Sequence, residues 1–189
     1  MKSGFVIFFI FAFASCFGQA LSTTPPGRRQ ALKQTTTVQG FSCEKGDAWF
    51  YPDGHLSSCT LAVESTFGDA RPPAGSVIRL TPDGKPLYLG LSFDTQIGEY
   101  LCEGGGALGA SQVPAIVFYP DGRLKLCFLA GDQTVQGVPC MGAGGFLGAV
   151  FRHKHIPSVD FYPDGKLHSC TLSKNFGGQD RAELFVQSQ

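Results

Sequence analysis

The chain has 189 residues, and its 15 Lys plus Arg are balanced by 15 Asp plus Glu, for a formal net charge of zero. That balance argues against a general binder of nucleic acid or anionic membranes, which needs a field of one sign. The 25 glycines and 12 prolines demand frequent turns, and 17 phenylalanines supply core material.

The chain opens on an export signal. Lys2 carries positive charge, and Gly4 to Ala14 is almost wholly apolar through Phe5, Val6, Ile7, Phe8, Phe9, Ile10, Phe11 and Phe13. That run falls short of the roughly 20 apolar residues that cross a bilayer. Small residues follow at Ala14, Ser15, Gly18 and Ala20. A charged start, a short apolar run and a small-residue exit describe a secretory signal peptide over residues 1–20. Cleavage after Gly18 or after Ala20 leaves a small residue at the cut. Alternatively, Phe13-Ala14-Ser15-Cys16 is similar to a bacterial lipoprotein signal, with Phe13 where Leu is usual, and Cys16 would then carry a lipid anchor. The mature chain is expected to be secreted or periplasmic, or an outer-membrane lipoprotein, with no transmembrane segment. Residues 21–36 are rich in Thr, Pro and Gln and read as a linker. About 170 residues remain after cleavage, which suits one domain.

From residue 37 the chain repeats. Phe50-Tyr51-Pro52-Asp53-Gly54-His55-Leu56-Ser57-Ser58-Cys59-Thr60-Leu61 returns at Phe118–Leu129 and at Phe161–Leu172, identical in all three copies at eight of twelve positions. A degenerate copy lies at Leu80-Thr81-Pro82-Asp83-Gly84-Lys85-Pro86-Leu87. An upstream motif repeats too: Thr37-Val38-Gln39-Gly40-Phe41-Ser42-Cys43 matches Thr134-Val135-Gln136-Gly137-Val138-Pro139-Cys140. The units fall near 37–66, 67–96, 97–134 and 135–176, within one β-repeat domain over 37–189.

Each copy reads as a β-hairpin. Pro presets φ for the second position of a type I turn, Asp suits the third, and Gly takes the left-handed conformation after it. The result is a three-residue loop with a Gly bulge, in which Tyr51 faces His55 and Phe50 faces Leu56. Strict alternation then places Ile116, Phe118, Leu124, Leu126 and Phe128 on one buried face. Val117, Tyr119, Arg123, Lys125, Cys127 and Leu129 fall on the other. One hairpin cannot bury such a face alone, so neighbours must cover each other. The fold expected is all-β: an antiparallel meander of four stacked hairpin repeats, with few or no helices outside the signal peptide.

This aromatic-Pro-Asp-Gly-x-Leu core resembles the MORN-like hairpin repeats of many bacterial proteins, over roughly residues 37–176. The usual pattern of those repeats has more glycine, shorter inserts and no paired cysteines. The resemblance implies a structural or binding module, and some members of such families are bacterial antitoxins.

Six cysteines follow the signal: Cys43, Cys59, Cys102, Cys127, Cys140 and Cys170. Units one, three and four each carry one before the hairpin and one seven residues after its proline; unit two lacks both, with Leu89 at the later position. Loss of both together is what pairing within a unit produces. The expected bonds are Cys43–Cys59, Cys102–Cys127 and Cys140–Cys170. No Cys-x-x-Cys spacing suggests zinc.

The remaining candidates are few. The residue after each Asp-Gly is basic, at His55, Lys85, Arg123 and Lys166, and Tyr51, Tyr119 and Tyr162 stand opposite three of them. Side by side these form a stripe of cations and rings suited to an anionic or sugar ligand, although Asp53, Asp83, Asp121 and Asp164 offset its charge. Gly104–Ala110 and Gly142–Ala149 are related glycine-rich inserts, read as edge loops. His153 and His155 would share a strand face, and two imidazoles at that spacing can share a metal, but no third ligand is evident. No serine-hydrolase, zinc-protease or Walker-type motif occurs. The reading is a non-enzymatic secreted or envelope scaffold with no cofactor. Its expected partner is a protein or glycan rather than nucleic acid. The alternatives are a small secreted metal-dependent hydrolase using the inserted loops, and a toxin-neutralising immunity-type protein.

Overall fold

In the computed structural model, which describes residues 27–105, 116–144, 157–173 and 183–185, every regular element is a β-strand. β1 (Arg28–Leu32) comes first. Unit one has a small hairpin, β2 (Thr36–Val38) and β3 (Phe41–Cys43), then a large one, β4 (Gly46–Phe50) and β5 (Leu56–Thr60). Unit two supplies the large hairpin β6 (Val77–Leu80) and β7 (Pro86–Gly90). Unit three repeats the full plan with β8 (Thr95–Ile97), β9 (Tyr100–Cys102), β10 (Ile116–Phe118) and β11 (Leu124–Cys127). Unit four does so with β12 (Gln133–Val135), β13 (Val138–Cys140), β14 (Val159–Phe161) and β15 (Leu167–Thr171), and β16 (Glu183–Phe185) follows.

The large hairpins join into one antiparallel sheet of ten strands, ordered β1-β4-β5-β6-β7-β10-β11-β14-β15-β16, which is the expected meander. The small hairpins form a second layer. Their Cys43, Ile97, Cys102, Val135 and Cys140 share one buried cluster with Ile78, Leu89, Ile116 and Val159 of the sheet. Unit two has a small hairpin as well. Phe67 and Ala70 exchange both backbone bonds at 3.0 and 3.1 Å, and Ser65 N–H donates to the Pro72 carbonyl at 3.3 Å. Residues 65–72 therefore stand where 36–43, 95–102 and 133–140 stand, and Pro72 takes the place of Cys43, Cys102 and Cys140.

The Pro-Asp-Gly loops form as their chemistry requires. Tyr51 N–H donates to the His55 carbonyl at 2.8 Å and Gly54 N–H to the Tyr51 carbonyl at 2.9 Å, with Gly54 at φ +88°. The glycine at this place holds φ between +77° and +88° in all four units, a conformation that costs other residues about 1–2 kcal/mol.

Beyond the loop the simple alternation fails. Phe118 pairs with Leu124, but Val117 pairs with Leu126, so Lys125 is an extra residue. The same shift recurs at Phe50/Trp49, Leu80/Arg79 and Phe161/Asp160. This β-bulge reverses the sides of the returning strand. Cys127 and Leu129 are fully buried, while Leu126 and Phe128, expected inside, are only half-buried. In consequence Ala48, Cys59, Ile78, Leu89, Ile116, Cys127, Val159 and Cys170, spread over eight successive strands, are all 3% exposed or less.

A second correction concerns residues 21–36. Arg28–Leu32, read as linker, is an edge strand paired along its whole length with β4, from Arg28↔Phe50 to Leu32↔Gly46. Its backbone completes the β4 edge, and only Leu32 is buried, which is why apolar content gave no sign of it.

Two of the three expected cross-links are formed, Cys43–Cys59 and Cys140–Cys170, each tying a small hairpin to the sheet. They close 16 and 30 residues of chain, each worth on the order of 3 kcal/mol in the chain-entropy view. Cys102 and Cys127 are not bonded; both are buried thiols. Among the described residues no helix is long and apolar enough to cross a membrane.

Candidate functional site

The stripe of tyrosines and cations at the hairpin loops is a structural edge. Tyr51 Oη donates to the Leu80 carbonyl at 2.9 Å, and Tyr119 Oη to the Phe161 carbonyl at 2.8 Å. Each hydroxyl thus staples its hairpin to the next. Tyr162 instead meets His168 edge to face at 4.5 Å. The cations turn back on their own loops. Arg123 bonds Asp121 at 2.6 Å, Lys85 lies 3.2 Å from Asp83, and Lys166 lies 3.6 Å from Asp164. The His55 backbone N–H donates to Asp53 at 3.0 Å. The partners show in the acidities. The Thr81 hydroxyl and Lys85 hold Asp83 below its ordinary value, Arg123 does so for Asp121, and the Lys166 backbone N–H leads at Asp164. A row of self-neutralised turns has little field left for an anion.

The described glycines of the inserts serve packing. Gly104 N–H donates to the Asp94 carboxylate at 2.8 Å and Gly142 N–H to Asp132 at 2.9 Å. A Cβ on Gly104 would strike the Phe93 backbone, and one on Gly142 the Gly131 backbone. These N–H groups are committed and do not cradle phosphate. Residues 106–110 and 145–149 of the inserts, with His153, His155 and Cys16, lie outside the described residues. Among the described residues no three His, Cys, Asp or Glu side chains gather as for a metal.

A different surface emerges. The small hairpins cover one face of the large sheet. The register places Trp49, Ser58, Arg79, Tyr88, Val117, Leu126 and Asp160 in a row across the other. Trp49, Tyr88, Val117 and Leu126 are half-buried and lie outside the buried cluster and the side chains packed on it. The Arg79 guanidinium sits 5.3 Å from the Tyr88 ring centre. Burial pulls Arg79 below its ordinary value, opposed by Tyr88 and Tyr51. Asp160 accepts a bond from the Ser158 hydroxyl at 3.2 Å. This row combines two flat rings, two aliphatic side chains, a cation and a carboxylate. It escaped sequence reasoning because the bulge shifts the alternation that would have assembled it.

The small-hairpin side has an open groove of about 460 Å³, lined by Thr37, Gln39–Ser42 and Val63–Thr66. Val63 and Phe93, 53% and 60% exposed, each stand two residues beyond a buried leucine, Leu61 and Leu91. Among the described residues no buried polar side chain lines that groove. No family model, no curated protein and no solved structure matches this chain.

Proposed function

We propose that the chain is a non-enzymatic, exported repeat module of MORN-like plan, a scaffold that binds a glycan through the face of its sheet opposite the small hairpins. The observation that carries this reading is the Trp49–Asp160 row. Aromatic and aliphatic side chains lie half-buried outside the core, beside Arg79 and Asp160. Apolar ground that stays partly accessible beside polar groups marks interaction surfaces. Trp, Tyr and Arg are the residue types whose truncation costs binding most. Flat rings interleaved with hydrogen-bonding ends suit a sugar, which presents C–H faces and hydroxyl edges. The zero net charge argues against a polyanionic partner. Two cross-links between layers agree with an oxidising compartment. A protein partner, including a neutralised toxin, is the second reading, favoured by Val117 paired with Leu126 in the middle of the row.

A glycan array probed with the purified protein, followed by calorimetry on the hits, tests this. Trp49→Ala and Tyr88→Ala are each expected to cost about 2 kcal/mol, roughly thirtyfold in affinity. Lys166→Ala at the loop edge serves as a control and leaves affinity unchanged. Binding that survives both aromatic truncations, with the fold intact by circular dichroism, would falsify the assignment of this face.

A further inference from the structure

The third cysteine pair carries an inference that is independent of the binding face. We propose that Cys102 and Cys127 are a cross-linking site, oxidised during folding to a third disulfide that ties the β8–β9 hairpin to the sheet. Cys102 pairs with Thr95 in its small hairpin, as Cys43 pairs with Thr36 and Cys140 with Gln133. Cys102 also bridges to Leu129, as Cys43 bridges to Leu61 and Cys140 to Leu172. The next residue repeats the match. Glu103 N–H donates to the Phe128 carbonyl at 2.7 Å, as Glu44 donates to Thr60 at 2.8 Å and Met141 to Thr171 at 2.7 Å. The backbone frame that brings the sulfurs of units one and four into bonding contact is therefore also built in unit three.

The side chains agree with the frame. The neighbouring Cys102 side chain and burial raise the Cys127 thiol well above its ordinary value, and the Cys102 thiol donates to the Tyr100 carbonyl at 3.8 Å. Both cysteines are 0% exposed. The other four cysteines of the domain are already bonded to one another. Unit two, with Pro72 and Leu89 at the matching places, shows what fills this position when no cross-link is made.

The balance of the step is simple. A small-molecule disulfide, RSSR, takes two electrons. One thiolate attacks it to give a mixed disulfide and release one RSH. The second thiolate then attacks the protein sulfur, forming the Cys102–Cys127 bond and releasing the second RSH. Buried in the folded chain, with the Cys127 thiol raised well above its ordinary value, the pair reacts slowly there, so the bond forms as β8–β9 docks and before the layers close.

The test refolds the denatured, reduced protein in glutathione and glutathione disulfide, then digests it without reduction for mass spectrometry. The expected result is a peptide joining Cys102 to Cys127. Thiol titration in guanidinium should also show two fewer free thiols than for a sample in which only the other two bonds are closed. A native sample still carrying the dithiol should resist alkylation until denatured. Two alkylated thiols at Cys102 and Cys127 after refolding, with Cys43–Cys59 and Cys140–Cys170 intact, would overturn the proposal. So would Cys102 joined to any other cysteine. Neither result depends on a variant that must fold.

Discussion

The Tyr51 and Tyr119 hydroxyls decide whether the loop edge is architecture or a binding stripe, and replacing both with Phe separates the two. Each Oη donates to a carbonyl of the neighbouring hairpin, at 2.9 and 2.8 Å, in part-buried surroundings. Phe keeps the ring and removes only the donor. The loss is a net hydrogen bond of about 1 kcal/mol, plus part of the cost of a carbonyl left partly desolvated, so about 1–1.5 kcal/mol per site. The two staples join different pairs of hairpins, units one and two and units three and four, with no shared partner. Their effects should therefore add to about 2–3 kcal/mol in the double variant. For a domain of this size that lowers the thermal midpoint by about 4–12 °C. Urea unfolding followed by tryptophan fluorescence reads the midpoint through Trp49, the chain's one tryptophan. Affinity for the partner should stay unchanged. If the double variant keeps its urea midpoint and loses its partner instead, the hydroxyls belong to a ligand site and the staple account is wrong.

Two further outcomes follow from the same contacts. Leu89→Ala empties a fully buried place between Ile78 and Ile116 and should cost about 2–5 kcal/mol in urea; a loss under about 1 kcal/mol would mean that the layers do not meet at Leu89. Asp83, Asp121 and Asp164 are held below their ordinary value of 3.8, so the stability they contribute is full above that pH and is lost as pH falls through the lower folded values. Asp121→Asn should lower the neutral plateau slightly and flatten the acid limb of stability below pH 3.8, and an unchanged acid limb counts against the ion pair with Arg123.

Much of this architecture is written locally. Pro-Asp-Gly specifies a loop with its glycine at positive φ, and the loop appears in all four units, even where Thr81 replaces Tyr and Leu80 replaces Phe. Cysteine spacing gave the two bonds that are formed, because a residue lost from one side of a pair releases the other. What stayed hidden depends on residues that leave no pattern. The bulge residue is Ser57, Leu87, Lys125 or His168, four unrelated side chains at one backbone feature. No composition rule marks it, yet it decides which face every later residue takes. The unit-two small hairpin hid for a similar reason, since Phe67-Gly68-Asp69-Ala70 turns with one residue at positive φ, Gly68, where Val38-Gln39-Gly40-Phe41 uses two, and it shares little sequence with that turn. Gln39 shows the opposite case, a residue legible as a repeat whose task was not. It holds φ at +49°, and its side-chain carbonyl accepts the Leu56 N–H at 3.1 Å, as that of Gln136 accepts the Leu167 N–H at 2.9 Å.

One position between the layers is filled in three ways, and its place in the array gives a reason. The disulfides stand in units one and four, at the two ends of the repeat. An end unit has another repeat unit on one side only, and in repeat proteins the terminal units carry the features that hold the stack closed. Unit two lies between neighbours, and its position is held by two buried residues, Pro72 and Leu89, without a cross-link. Unit three is equally enclosed but holds Cys102 and Cys127. Its small hairpin has anchors of its own: Gln133 exchanges two bonds with the Leu101 backbone, and Tyr100 stacks on Phe161 at 5.1 Å. An interior cross-link is thus the one the fold needs least for closure. Its main effect falls on the unfolded chain, by shortening the segment between Cys102 and Cys127 that must search for its place. The end cross-links do that and also hold units that have another repeat unit on one side and a single strand, β1 or β16, on the other.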